Sequence, residues 1–229
     1  MAHGEFRLRL RYKKAGRARF LSHLEVARAL ERSARRARLP YAVTKGFNPR
    51  MKVAFGPALP VGTGGEREYL DVWLTEPVPS ADVLARMRAA TPPDLQVDGA
   101  GYVNEREPSL TAAATVACYE VAVGGEGLRP EQIEDALASV MAEAHLEVEH
   151  KGKTKVFDLS RSLPKEARVG SHGPPYTVEL TTRMGQEGSL RPDVFLNEVL
   201  SRIPGGSAVE SVTRTDILIE EEGVWRRPL

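Results

Sequence analysis

Residues Glu5–Lys13 alternate strictly between apolar and basic side chains. Phe6, Leu8, Leu10 and Tyr12 fall on one side, and Arg7, Arg9, Arg11 and Lys13 on the other. A period of two over this length predicts a strand with one face buried. The opposite face is then a comb of cations, which the fold either leaves in water or matches with acids. The comb begins a wider bias. Met1–Lys52 holds 15 Lys/Arg against 3 Asp/Glu, a formal +12, whereas Val53–Leu229 holds 17 against 28, a formal −11. The total of +1 hides this division. Clustered cations suit a polyanion, because binding releases the counterions condensed on its phosphates.

A helix follows the first strand. Ser22 and Glu25 form a capping box, so Ser22 is the expected N-cap. Leu24, Ala27, Leu30, Ala34 and Ala37 form its expected apolar stripe, and Arg28, Arg32, Arg35 and Arg36 its opposite face. Pro40 ends it. Beyond the turn-rich GFNP at Gly46–Pro49, the pattern predicts short strands at Lys52–Phe55 and Glu68–Leu74, a helix from Pro79-Ser80 to Ala90 and a strand at Leu95–Val103. The order is β-α-β-β-α-β. The second half repeats it: strand Thr115–Val123, helix Pro130–Ala144, an extended pair Leu146–His150 and Thr154–Leu159 around Lys151-Gly152, strand Tyr176–Thr182, helix Arg191–Ser201 and strand Val212–Glu220. Ser160–Pro175 reads as a long loop. The expectation is an α+β protein of tandem ferredoxin-like domains, a basic one over 1–104 and an acidic one over 112–229, joined through Asn104–Ala112.

Composition excludes several classes. No apolar run approaches the ~20 residues of a membrane-spanning helix, and MAHGEFRLRL has no signal-peptide core, so a cytoplasmic location is expected. The lone Cys118 excludes an internal disulfide or a multi-cysteine cluster, and its apolar surroundings read as core. His145, Glu147 and Glu149 share one strand face, but a solvent-facing edge explains them, and no metal site or cofactor is expected.

In a ferredoxin-like sheet, Arg7, Arg9 and Arg11 line the face away from the helices, beside Tyr69, Asp71 and Trp73. Guanidiniums pair with phosphates, and flat rings stack on bases. Asp71 fits such a surface poorly and is expected to hold one arginine. The alternative is that this face packs against the second domain, with its arginines bridging acids there. Lys45, Gly46, Phe47, Asn48, Arg50 and Lys52 form a second basic element, in a loop whose glycine permits close backbone approach. His23, just after the cap, sits where a helix N-terminus favours neutral imidazole, a candidate acid–base group or a plain hydrogen-bonding side chain.

The segment from Arg19 to Leu74 resembles a bacterial radical-SAM-linked (radical-SAM-associated) domain family of unknown function. Ser22-His23-Leu24, Glu31-Arg32, Arg35-Arg36, Leu39-Pro40, Gly46-Phe47-Asn48-Pro49, Lys52, Leu59-Pro60, Gly62 and Glu68-Tyr69-Leu70-Asp71 match its pattern. Glu25 replaces its Asp, and Arg50-Met51 its His-Pro. Weaker likeness continues in KGKTKVFDLS, LRPDVFLNEVL and the RTDI at Arg214–Ile217. The resemblance implies work near RNA or translation, beside a radical-SAM protein. This chain, without CxxxCxxC, holds no such cluster itself. The tandem element order also looks like RAMP-type CRISPR RNA endonucleases, at the level of fold.

The leading expectation is an RNA-binding accessory protein linked to RNA modification, processing or translation, with a radical-SAM enzyme as a further partner. Its phosphate contacts are Arg7, Arg9, Arg11, Arg28, Arg32, Arg35, Arg36, Lys45, Arg50 and Lys52, with Tyr69 and Trp73 stacking. The alternatives are a metal-independent endoribonuclease using His23 and a protein-interaction subunit without RNA. The oligomeric state is left open.

Overall fold

The alternating segment folds as strand β1 (Phe6–Lys14), with Leu8 and Leu10 buried. The structure, a computed structural model, describes residues 4–150, 152–170, 172–185 and 188–229. Of the hairpin turn expected at Lys151-Gly152, Lys151 lies outside them. The chain is mixed α+β and divides into two units, Met1–Ala114 with Asp216–Leu229, and Thr115–Thr215.

In the first unit, helix α1 (His23–Arg36) starts at the expected capping box: Ser22 Oγ accepts from the Glu25 N–H, and Glu25 Oε2 from the Ser22 N–H. The Ser22 hydroxyl also donates to Glu25 and, with the backbone bond, holds that carboxyl below its ordinary value. The buried face of α1 is Val26, Leu30, Ser33 and Ala34. Leu24 is exposed instead, since the stripe is registered on Val26 and its i+4, i+7 and i+8 neighbours. Ser33 is tolerated in the core because its hydroxyl donates to the Ala29 carbonyl. The helix ends in a Schellman motif: the Arg38 N–H reaches Arg35 O (3.0 Å), the Leu39 N–H reaches Ala34 O (3.2 Å), and Arg38 is left-handed at φ +52°.

Strands β2 (Val53–Phe55) and β3 (Gly64–Leu74), helix α2 (Ser80–Ala90), strand β4 (Val97–Tyr102) and the short helix α3 (Leu110–Ala113) follow. The strand order is β4-β1-β3, antiparallel throughout, with β2 also on β3. Leu8, Leu10, Val26, Leu30, Leu70, Val72, Val83 and Met87 belong to the unit's core.

The second unit holds β5 (Val116–Gly124), α4 (Pro130–Ala142), the hairpin β6 (His145–His150) and β7 (Lys153–Asp158), α5 (Leu159–Ser162), β8 (Arg168–Val169), β9 (Tyr176–Arg183) and α6 (Pro192–Ser201). Its strand order is β5-β9-β8, with the β6–β7 pair separate. Phe195, Ile133, Val178 and Val199 are fully buried there. The segment expected as a long loop contains α5, which Asp158 caps by accepting from the Arg161 N–H, and β8. Cys118 is half-buried.

Strand β10 (Ala208–Glu221) begins in the second unit and ends in the first, where β11 (Val224–Arg226) pairs back on it. Residues 216–229 therefore join the first unit rather than the domain expected over 112–229. Ile217 packs with Tyr69, Leu110 and Ala114 there. Among the described residues, no helix is long and apolar enough to cross a membrane.

Candidate nucleic-acid interface

The arginine comb of β1 is not an open surface. Arg7 and Arg9 are 5% and 1% exposed, and Asp71, opposite Arg9 in the β1–β3 register, is 0% exposed. Asp71 accepts from Arg7 Nε (2.9 Å) and Nη2 (2.6 Å), and from Arg9 Nε (2.8 Å) and Nη2 (3.0 Å). It was expected to hold one arginine and holds two. The remaining donors reach backbone carbonyls and one further acid: Arg7 bonds Glu107 O and Pro108 O, and Arg9 bonds Pro228 O and, at 3.4 Å, the Glu107 carboxylate. These covering segments belong to the same unit. They close the face because two buried guanidiniums need acceptors for every N–H, and a single carboxylate supplies too few.

The stacking candidates fare likewise. Tyr69 is 1% exposed and packs under Leu110, Ala114 and Ile217, so its ring offers no face to a base. Trp73 is half-buried, with Arg7 Cζ 5.5 Å and Lys52 Nζ 5.0 Å from its ring centroid. Lys52 also pairs with Glu5, and Arg11, half-buried, pairs with Asp98 at 2.7 Å. Of the strand residues proposed for RNA, Arg7, Arg9 and Tyr69 are thus removed from any surface role in this structure.

Beside Tyr69 lies Asp216, 6% exposed, whose Oδ2 accepts from Arg227 Nε (2.8 Å) and Arg67 Nη1 (3.4 Å). The Tyr69 hydroxyl and Asp216 Oδ1 are buried without a hydrogen-bond partner among the described residues. Burial, then the Asp216 carboxylate, pushes the Tyr69 phenol from 10.0 up to about 12, against the opposing pull of Arg11, Arg227 and Arg67. The folded state therefore holds this proton more tightly than the unfolded chain. Stability from Tyr69 is complete below pH 10 and is lost as pH rises toward 12. An ultraviolet titration is expected to show one phenol ionising near pH 12, absent in Tyr69→Phe; ionisation of that phenol near pH 10 would contradict the assignment.

His23 lies at the first position of α1, half-buried, its ring edge-on to Phe55 at 5.3 Å. The cavity it shares with Tyr12, Lys14, Val26 and Gly56 is about 10 Å3, room for roughly one water and not a nucleotide. Its ring packs on Phe55, and this cavity is too small to take a nucleotide.

The exposed charge lies elsewhere. Arg28, Arg32, Arg35 and Arg36 all face solvent along α1, and among the described residues only Arg35 of the four is in an ion pair, with Glu31 at 3.3 Å. The loop after the helix is pinned at its base by the Val43–Met51 bridge, the Thr44 N–H to Arg50 O bond (2.8 Å) and the Arg50 N–H to Thr44 Oγ1 bond (3.1 Å). Lys45, Gly46, Phe47, Asn48 and Arg50 project beyond it, all exposed, and Phe47 completely so at 112%. An apolar ring held in water between two cations has no role in the core of its own unit. Sequence reasoning missed Asp216, Arg67, Arg227 and Arg86. The RTDI match at Arg214–Ile217 was the one signal that touched Asp216. Among the described residues, no group of three His, Cys, Asp or Glu is placed to hold a metal ion.

A family described as an uncharacterized protein conserved in bacteria (DUF2344) matches residues 7–192. The chain belongs to this family. Its membership carries no statement about a radical-SAM partner. No curated protein matches the chain. Among solved structures, it is similar to a chain of an H/ACA RNP bound to a substrate RNA containing 2′-deoxyuridine, at 12% identity and TM-score 0.48, covering 93% of this chain and 47% of that one. It is similar also to a chain of a Cbf5–Nop10–Gar1 complex, at 12% and 0.49, covering 94% and 50%. A third is in the archaeal box H/ACA sRNP Nop10–Cbf5 complex, at 11% and 0.45, covering 93% and 48%. The chain spans about half the length of these matched chains.

Proposed function

We propose that this protein binds RNA through the exposed face of α1 and the Thr44–Arg50 loop. One observation carries the reading: Arg28, Arg32 and Arg36 stand along one helix face with no ion pair among the described residues, beside a loop whose Phe47 is fully exposed between Lys45 and Arg50. Unpaired guanidiniums supply forked donors to phosphate oxygens. An exposed ring supplies a stacking platform that tolerates any base. The proposed role is that of a binding accessory, and the cavity beside His23, about one water in size, supports it over the endoribonuclease alternative.

The test is RNA affinity as a function of salt. Arg28→Ala/Arg32→Ala/Arg36→Ala is expected to lower the slope of log affinity against log salt by about 2, at roughly 0.7 per single-strand phosphate lost. Phe47→Ala is expected to cost about 1–3 kcal/mol at every salt concentration. A wild-type protein that binds no RNA, or a triple variant with an unchanged slope, defeats the reading.

The same reading takes each unit as a ferredoxin-like βαββαβ fold. In its support, β1, β2, β3 and β4 of the first unit stand in the antiparallel order 4-1-3-2. In the second, β8 and β9 follow β5 with the helices α4 and α6 in the matching places, and the β6–β7 hairpin is an insertion.

A further inference from the structure

Arg36, Ala37 and Arg38 at the end of α1 and Arg86, Ala89 and Ala90 near the end of α2 line one open groove of about 660 Å3. All three arginines are exposed, none is in an ion pair among the described residues, and no carboxylate is in the lining. Three like charges around one groove repel one another, and the arrangement is relieved when an anion sits between them. The alanines keep the floor low, so an incoming group meets guanidiniums rather than bulky side chains.

Helix polarity does not explain the set. The negative end of a helix favours a cation in its last turn, and Arg35 or Arg36 in α1 and Arg88 in α2 already meet that preference. Arg38 and Arg86 are additional. Arg38 is the more telling, because it occupies the left-handed position of a Schellman motif, where glycine is the residue that folding favours. A side chain kept where the backbone prefers none is kept for what the side chain does.

We infer that this groove binds phosphate groups, with the RNA backbone as their source. The inference rests on the RNA-binding reading and adds to it a specific place, at the end of the α1 arginine row, and two residues outside that row, Arg38 and Arg86. A phosphodiester carries a single negative charge, so three guanidiniums suit successive backbone phosphates. A terminal phosphate monoester or a free phosphate offers the same oxygens, and the experiment separates these sources.

The decisive variant is Arg38→Gly, alone and with Arg86→Ala. Glycine relieves the left-handed backbone, so Arg38→Gly is expected to melt at or above the wild-type temperature while binding RNA more weakly. The double variant is expected to lower the salt slope by about 1.4, two phosphates at roughly 0.7 each. Binding is measured with one oligonucleotide bearing a 5′-hydroxyl and the same one bearing a 5′-phosphate. Equal losses on both support backbone contacts, and a loss confined to the phosphorylated strand overturns the backbone assignment. If Arg28→Ala/Arg32→Ala lowers the slope but Arg38→Gly/Arg86→Ala leaves it at the wild-type value, the groove is refuted while RNA binding stands. If the wild type binds no RNA, the broader reading fails. The groove is then judged with inorganic phosphate, by NMR of the arginine side-chain N–H groups, where unmoved Arg38 and Arg86 signals overturn it too.

Discussion

Asp71→Ala is expected to cost about 3–5 kcal/mol of stability, the range for breaking a buried ion pair and leaving its partner charged. Asp71 is wholly buried and accepts four hydrogen bonds from Arg7 and Arg9, which are themselves almost without solvent contact. Its removal leaves two guanidiniums among the Glu107, Pro108 and Pro228 carbonyls, which neutralise no charge, with the part-exposed Glu107 carboxylate, 3.4 Å from Arg9, as the remaining acid. Urea unfolding reads the effect as a lower midpoint at unchanged slope. A loss under about 1 kcal/mol would show that water reaches the arginines when the carboxylate goes. Replacing all three residues by apolar ones of similar volume is expected to do far less harm than the single change. The attraction within such a network barely exceeds the cost of stripping its charges of water.

Phe195→Ala is expected to destabilise by about 3–5 kcal/mol for a different reason, loss of apolar burial plus the cavity left behind. Phe195 is 0% exposed, in the cluster that includes Ile133, Leu137, Val178 and Val199. Thermal or urea unfolding measures it, and a cost below about 1 kcal/mol would mean that α6 collapses into the space. Every residue proposed for RNA contact lies in the first unit. RNA affinity of the folded Phe195→Ala protein, assayed at low temperature, is therefore expected to match wild type, whereas a matching loss would place RNA contacts in the second unit.

What could be read from the residues alone follows from the range of the forces involved. The Ser22–Glu25 box, the alternation of β1 and the Ser80–Ala90 helix depend on neighbours within a few positions, and each stands where the pattern put it. The stripe of α1 slipped at Leu24 because helical periodicity gives the width of an apolar face but only packing fixes its edge. The fate of Arg7 and Arg9 was out of reach. Their acceptors at Pro108 and Pro228 are 101 and 219 positions away, and nothing in the local pattern distinguishes a comb in water from one covered by a distant segment. The exposed row on α1 was legible because it lies opposite the apolar stripe. Arg86 was missed because it belongs to another helix, and the left-handed backbone of Arg38 was out of reach because it is a property of the helix end.

The placement of Asp216–Leu229 in the first unit has a consequence for the order in which the chain matures. Thr115–Thr215 is an unbroken stretch and has all its parts as soon as it is made. The first unit lacks the Pro228 acceptor of Arg9 and the Ile217 contact of Tyr69 until residues 216–229 appear. At roughly 5–20 residues per second, the intervening hundred or so residues take on the order of 5–20 s to synthesise. For that interval Arg9 is without its Pro228 acceptor, whereas Arg7 already has the Glu107 and Pro108 carbonyls and both arginines have Asp71.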